Sequence, residues 1–262
     1  MAASPEQVDA LIALLAEAGY EGFEEREQLL LAYLPTEQFD PTALARIVEN
    51  FTISYTTKEI QPANWNAQWE SNFEPVTIGS FLHIRASFHP PCTGTQHEIV
   101  ITPKMSFGTG HHATTQLMVS EMSILTWEQK EVFDFGTGTG ILAIVADKLG
   151  ARRIVAVDND PWSIENAIEN AGANQCASIT IELADQPPQS DCFDYILANI
   201  NLHILLMHMP DLVRLLRKGG QLLLSGLLCS DRAIIEPVCT SLGLRVVSVK
   251  EQGDWMMLRL AY

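Results

Sequence analysis

Apolar and polar positions along the chain fall into two periods, and these mark where helices and strands are expected. Val8, Leu11, Ile12, Leu15 and Ala18 recur at helical spacing ahead of Gly19, so the first helix is expected over 8–18. Residues 22–26 and 28–34 read as two short strands, the second bounded by Pro35. A second helix is expected over 41–48, with Asp40 as its cap and Pro41 in its first turn. Residues 51–60 alternate well enough for a third strand. These five elements predict a small α+β module over residues 1–60 with one helical layer. It holds no glycine-rich loop and no polar cluster of a catalytic kind, which suits a recognition or docking module. Residues 61–75, QPANWNAQWESNFEP, join it to the rest of the chain. Trp65, Trp69 and Phe73 stand at i, i+4 and i+8, one face of a short helix. They either pin the linker to the next domain or form an aromatic wall near a substrate entrance.

From residue 76 onward strands come first, over 76–88 and 97–102, then a helix over 116–125. Strands expected at 132–135, 154–157, 179–183, 193–198 and 222–224 then alternate with helices at 141–149, 161–171, 203–217 and 232–242. This is the pattern of a doubly wound parallel sheet. Segments 244–250 and 255–260, joined by Gln252-Gly253-Asp254, close it as an antiparallel hairpin. The expected fold is therefore α/β, with residues 76–262 as the larger domain.

The chemistry concentrates in residues 131–161, EVFDFGTGTGILAIVADKLGARRIVAVDNDP. A strand buried on both faces runs into Gly136, Gly138 and Gly140, then a helix closed by Gly150, then a second strand ending at Asp158. Glycines let the backbone turn sharply and approach a ligand, and the N-terminus of the next helix favours negative charge. Asp158 is placed to accept hydrogen bonds from a ribose diol. The spacing is G-x-G-x-G; Ile141 occupies the position where a dinucleotide fingerprint has its third glycine, which opposes an NAD-dependent oxidoreductase. Asp185, after the third strand of this unit, is expected beside an adenine, or else is a turn residue. Asn199 ends the fourth strand, and its amide should project into the crevice opposite the glycine turn. Upstream, in MSFGTGHHATT at 105–115, Gly108 and Gly110 permit a loop close to a ligand. Thr114 and Thr115 stand at the head of a helix, where a threonine can cap the backbone and face the crevice. His111 and His112 are adjacent and lack a nearby acid or thiol, so no metal site is expected.

With 16 basic and 32 acidic side chains the net charge is −16. That opposes binding to nucleic acid, where Lys and Arg must displace counterions, and suits a basic protein partner or plain solubility. The five cysteines form no C-x-x-C pair, so reduced, packed thiols are expected. There is no membrane-spanning apolar run, and the first nineteen residues carry no basic side chain. A soluble cytoplasmic protein is the expectation.

Five stretches together resemble the PrmA family of ribosomal protein L11 methyltransferases, which are class I S-adenosylmethionine (SAM) methyltransferases. They are NWNAQWESNFEP at 64–75, PKMSFGTGHHATT at 103–115, VFDFGTGTGILAI at 132–144, AVDNDP at 156–161 and LANI at 197–200. The resemblance implies a Rossmann-like, seven-stranded sheet with an antiparallel C-terminal hairpin, and a small N-terminal domain that recognises the ribosomal protein. It implies SAM as cofactor, with Thr115, Gly136, Asp158 and Asn199 among its contacts. Gly138 and Asp185 belong to the same expected site, and Asn199 is the expected catalytic residue, orienting the amine. The implied reaction is trimethylation of lysine side chains and of an N-terminal amine on a basic large-subunit protein, by a monomer. The chain departs from the family pattern at His111 and Ala113, where Thr and Pro are common, and in opening with a helix where the family opens with a strand. A methyltransferase of small molecules or nucleic acid, or a non-catalytic SAM-fold module, are the competing readings. Acidity and the absence of an N-P-P-Y-like sequence oppose base methylation; intact glycines, Asp158 and Asn199 oppose decay.

Overall fold

A computed structural model describes residues 5–26, 29–51, 53–59, 73–104, 106–190 and 192–262. The chain divides into two compact units, residues 1–67 and 68–262. The first unit contains α1 (Pro5–Glu17), β1 (Gly22–Arg26), β2 (Leu29–Tyr33) and α2 (Pro41–Glu49). Strands β1 and β2 pair antiparallel, Gly22 opposite Tyr33. Asp40 caps α2 by accepting from the amides of Thr42 and Ala43, and Leu11, Leu15, Leu30, Leu44 and Val48 form the core. Where the third strand is expected, over 51–60, the described residues 53–59 make no ladder. Alternation marks a segment that could fit a pleated surface, but a strand exists only where an edge receives it. Of the linker aromatics, Trp65 and Trp69 lie outside the described residues. Phe73 packs edge-on to His111 at 4.9 Å and to Phe88 at 6.5 Å, within the second unit.

The second unit opens with β3 (Val76–Ile78), β4 (Leu82–Arg85) and β5 (His97–Val100), a three-stranded sheet. The single strand expected over 76–88 is thus two, split where Gly79 takes φ +55° and turns the chain back into an antiparallel pair. Then come α3 (Ala113–Met122), β6 (Glu131–Phe135), α4 (Ile141–Lys148), β7 (Arg153–Asp158), α5 (Pro161–Ala173), β8 (Ile179–Leu183), β9 (Phe193–Asn199), α6 (Leu202–Leu215), β10 (Leu216–Leu228), α7 (Arg232–Ser241), β11 (Arg245–Gln252) and β12 (Trp255–Ala261). Helix α3 starts earlier than its apolar spacing suggests, because His112 accepts from the Thr114 amide and caps it. Neither threonine is the cap. Strand β10 is much longer than the expected 222–224, with register shifts between Leu216 and Gln221 and between Leu224 and Leu227.

The seven strands of the main sheet run in the order β11-β12-β10-β9-β6-β7-β8, with only β12 antiparallel to its neighbours. From β6 the chain winds outward through β7 and β8, then crosses back to β9 and winds the other way. The order therefore reverses between β6 and β9, and in such sheets the ligand crevice opens at the carboxyl ends of the strands flanking that point. Those ends carry Gly136 and Asn199. One face buries Leu142, Val145, Met118 and Trp127, the other Leu205, Met209, Leu212 and Ile235, so the central strands are covered on both sides.

Candidate active site

The glycine turn is held open by backbone geometry. Gly136, Gly138 and Gly140 have φ of +77°, +56° and +81°, a region an L-residue enters only with strain. The amides of Gly136 and Thr137 both donate to the Val157 carbonyl at 2.9 Å. The Gly138 amide donates to Asp158 Oδ2 at 2.8 Å, and the Asp160 amide to Oδ1 at 3.0 Å. Asp158 is thereby seated between the turn and the head of α5. Below the turn, Thr137 Oγ1 donates to Asp134 Oδ2 at 2.6 Å. Burial pushes the Asp134 carboxyl up to about 7, against the lowering effect of the Thr137 hydroxyl and the Ala143 amide.

The loop before α3 lies on this turn. Thr139 N donates to the Phe107 carbonyl at 2.9 Å, and Thr139 Oγ1 to the Gly108 carbonyl at 2.7 Å. The fit is close enough that a Cβ on Gly138 would stand 2.3 Å from Phe107 O. The two histidines serve the loop: His111 Nε2 donates to the Glu74 carbonyl at 2.9 Å, and the His112 ring sits between Phe107 and Trp255, at 5.2 and 4.6 Å.

A cavity of about 610 Å³ occupies the crevice, within the usual range for a small-molecule site. Of the residues expected from sequence, Gly136, Gly138, Asp158, Asp185 and Asn199 line it together. Thr115 does not. It is fully buried behind the wall, 3.5 Å from Asn199 Nδ2, while its neighbour Thr114 reaches the cavity. The Asn199 Oδ1 atom is buried and has no hydrogen-bond partner among the described residues, an arrangement that points to a donor supplied by a ligand.

Sequence reading passed over Ser163, Ile204, His208 and Trp255, all on the cavity wall. Nothing local marks them; Trp255 arrives from the C-terminal hairpin and His208 from α6, where it meets Phe135 edge-on at 5.1 Å. Gly226 also lines the cavity, and its signal was available. A glycine inside the apolar run LLLSGLL implies close backbone approach, and here a Cβ would stand 2.4 Å from Ile200 O.

Asp158 and Asp185 give the lining two acids, and no Lys or Arg among the described residues joins them. A pyrophosphate would find no cation here, whereas a cationic nucleoside fits the charge. The glycine cradle, the Asp158 carboxylate and the unpaired Asn199 acceptor suit a sulfonium nucleoside such as SAM.

A family model described as "Ribosomal protein L11 methyltransferase (PrmA)" matches residues 8–261. The chain belongs to this family. Among relatives, a ribosomal protein L11 methyltransferase of Porphyromonas gingivalis is 41% identical over 259 residues, covering 96% of this chain and 89% of the relative. One from Phocaeicola vulgatus is 38% identical over 259 residues, covering 96% and 92%. A crystal structure of a ribosomal protein L11 methylase from Lactobacillus delbrueckii subsp. bulgaricus superposes with a TM-score of 0.65 at 30% identity, covering 72% of this chain and 98% of that one. The PrmA match covers the cavity, the loop upon it and the hairpin that supplies Trp255.

Proposed function

We propose that this protein transfers methyl groups from SAM to lysine side chains and the N-terminal amine of ribosomal protein L11, up to the trimethyl level. The observation that carries the reading is the Asn199 acceptor, buried across the cavity from the glycine turn with, among the described residues, no partner of its own and no Lys or Arg on the cavity wall. SAM supplies a methyl group already activated on a sulfonium. The protein's task is alignment, and holding an amine in line with that methyl can contribute on the order of 7–11 kcal/mol. Backbone at Gly136 and Gly138 receives the cofactor, Asp158 its ribose and Asp185 its adenine end. Asn199 Oδ1 accepts an N–H from the substrate amine and so directs the nitrogen lone pair. Thr115, buried beneath it, holds the amide in place. A lysine amine has a pKa near ~10.4, so it must lose a proton before attack. Neither Asn199 atom can take that proton, and it leaves to water, helped by desolvation of the amine in the cavity mouth.

In this reading residues 1–60 recognise the ribosomal protein, 61–75 link, and 76–262 catalyse. The net charge of −16 favours a basic protein partner over direct contact with nucleic acid. Among the described residues no helix is long and apolar enough to cross a membrane, and the enzyme is proposed to act as a cytoplasmic monomer. The test is incubation with isotopically labelled SAM and purified large-subunit proteins, with mass spectrometry of the products. Label on L11 lysines and its N-terminus is expected; label confined to another protein, or to RNA, overturns the substrate assignment.

A further inference from the structure

Helix α5 carries a row of asparagines that packing alone does not explain. Asn166, Asn170 and the C-cap Asn174 recur every fourth residue and are buried to 0%, 0% and 6% exposure. Asparagine is a poor helix former, and a buried amide must be paired. Here the amides act as a substitute strand. Val100 N donates to Asn174 Oδ1 at 2.8 Å, and Asn174 Nδ2 returns a bond to the Val100 carbonyl at 2.7 Å. Two residues on, Thr102 N donates to Asn170 Oδ1 at 2.7 Å, and Asn166 Nδ2 donates to the Thr102 carbonyl at 3.1 Å. The match is geometric: four helical residues rise about 6 Å, close to the ~6.7 Å of two strand residues. The ladder thus reads the edge of β5 and the segment after it at two residues, Val100 through Asn174 and Thr102 through Asn170 and Asn166 together.

The middle asparagine does something the others do not. Asn170 Nδ2 donates to the Thr139 carbonyl at 2.8 Å, so one side chain grips both the segment leading into the 103–112 loop and the glycine turn on which that loop lies. From these contacts we infer that Asn170 is a positioning residue for the cofactor, setting the register in which Phe107 is laid against Gly138. This rests on the SAM reading above.

Asn174 provides the control, because Asn174→Leu cuts two ladder bonds, against one for Asn170→Leu, without touching Thr139. In Asn170→Leu the dissociation constant for SAM, measured by calorimetry, is expected to rise about tenfold, as for a buried carbonyl left unpaired. The kinetic loss should fall on the KM for SAM rather than on kcat. In Asn174→Leu the constant should stay within about threefold of wild type, as for a site not sharing partners with the turn. In the cofactor-free protein, deuterium uptake at the Thr139 amide should rise in the Asn170 variant and not in the Asn174 variant. Asn170→Ser, too short to span both partners, replaces Asn170→Leu if the latter does not fold. Equal effects of the two positions on binding and uptake, or no effect of Asn170, overturn the inference. Wild-type protein that fails to bind SAM would instead overturn the cofactor reading, and the uptake comparison would still decide the role of Asn170.

Discussion

Gly138→Ala tests whether the loop and the turn form one cofactor wall. An alanine there takes φ +56°, which costs roughly 1 kcal/mol for an L-residue. It also brings a methyl within 2.3 Å of the Phe107 carbonyl oxygen, a backbone atom that no rotamer change can move away. Reaching even a 3.0 Å separation demands a shift of about 0.7 Å, and the loop is held by two bonds from Thr139, at 2.9 and 2.7 Å. If both are lost, at about 1 kcal/mol each, the variant is less stable by about 3 kcal/mol in all. Gly79 isolates the backbone part. It has nearly the same φ, +55°, and nothing within 4 Å of its would-be Cβ, so Gly79→Ala should lose only about 1 kcal/mol. Cofactor binding to Gly138→Ala must rebuild the docked loop, and about 2 kcal/mol taken from binding weakens SAM affinity roughly 30-fold. Gly79→Ala should bind SAM as wild type does. Urea denaturation and calorimetric titration of the three proteins supply the numbers. A Gly138→Ala protein that binds SAM with wild-type affinity would refute the idea that Phe107 and the turn act together.

Two other expectations rest on the same geometry. Asn199→Ala should lower kcat by about 100-fold, the scale of a misplaced nucleophile, while SAM affinity changes little; it should lower the denaturation midpoint only slightly, because the Oδ1 it removes has no partner among the described residues and the bond from Nδ2 to Thr115 is long, 3.5 Å. Parallel losses in rate and affinity would reject the orienting role. At the opposite end of the sheet, Glu131 receives hydrogen bonds from Arg152, Arg153 and Arg217, and the Arg152 bond, followed by the charges of Arg217 and Arg152, holds its carboxyl below the ordinary value of 4.5 against desolvation. A depressed carboxyl contributes stability that is fully present above its unfolded pKa and lost as pH falls through the folded one. Because the arginines reach solvent, Glu131→Gln should cost only about 1–2 kcal/mol at neutral pH, and chemical denaturation series should show the gap to wild type closing below about pH 4; a gap that persists into acid would contradict the ionic origin.

What could be read from the sequence was whatever depends on near neighbours. Gly136, Gly138 and Gly140 had to allow positive φ, Asp40 had to cap the helix that starts beside it, and the 2.0 and 3.6 periods located strands β6 to β9 and their helices. Each is decided within a few residues by sterics and by backbone groups that need partners. The placement of Asp158 and Asn199 on one crevice was legible too, because parallel strands ending in polar residues bring those ends to the same side of a sheet. The segment 51–60 shows the limit: its alternation is real, but residues 53–59 meet no strand edge. Only the tertiary structure could seat Thr115 behind Asn199 rather than on the cavity, bring Trp255 and His208 to its wall, and turn three evenly spaced asparagines into a surrogate strand. These are contacts between residues far apart in the chain, and their energies depend on which surfaces the strand order presses together, a quantity that no local pattern contains.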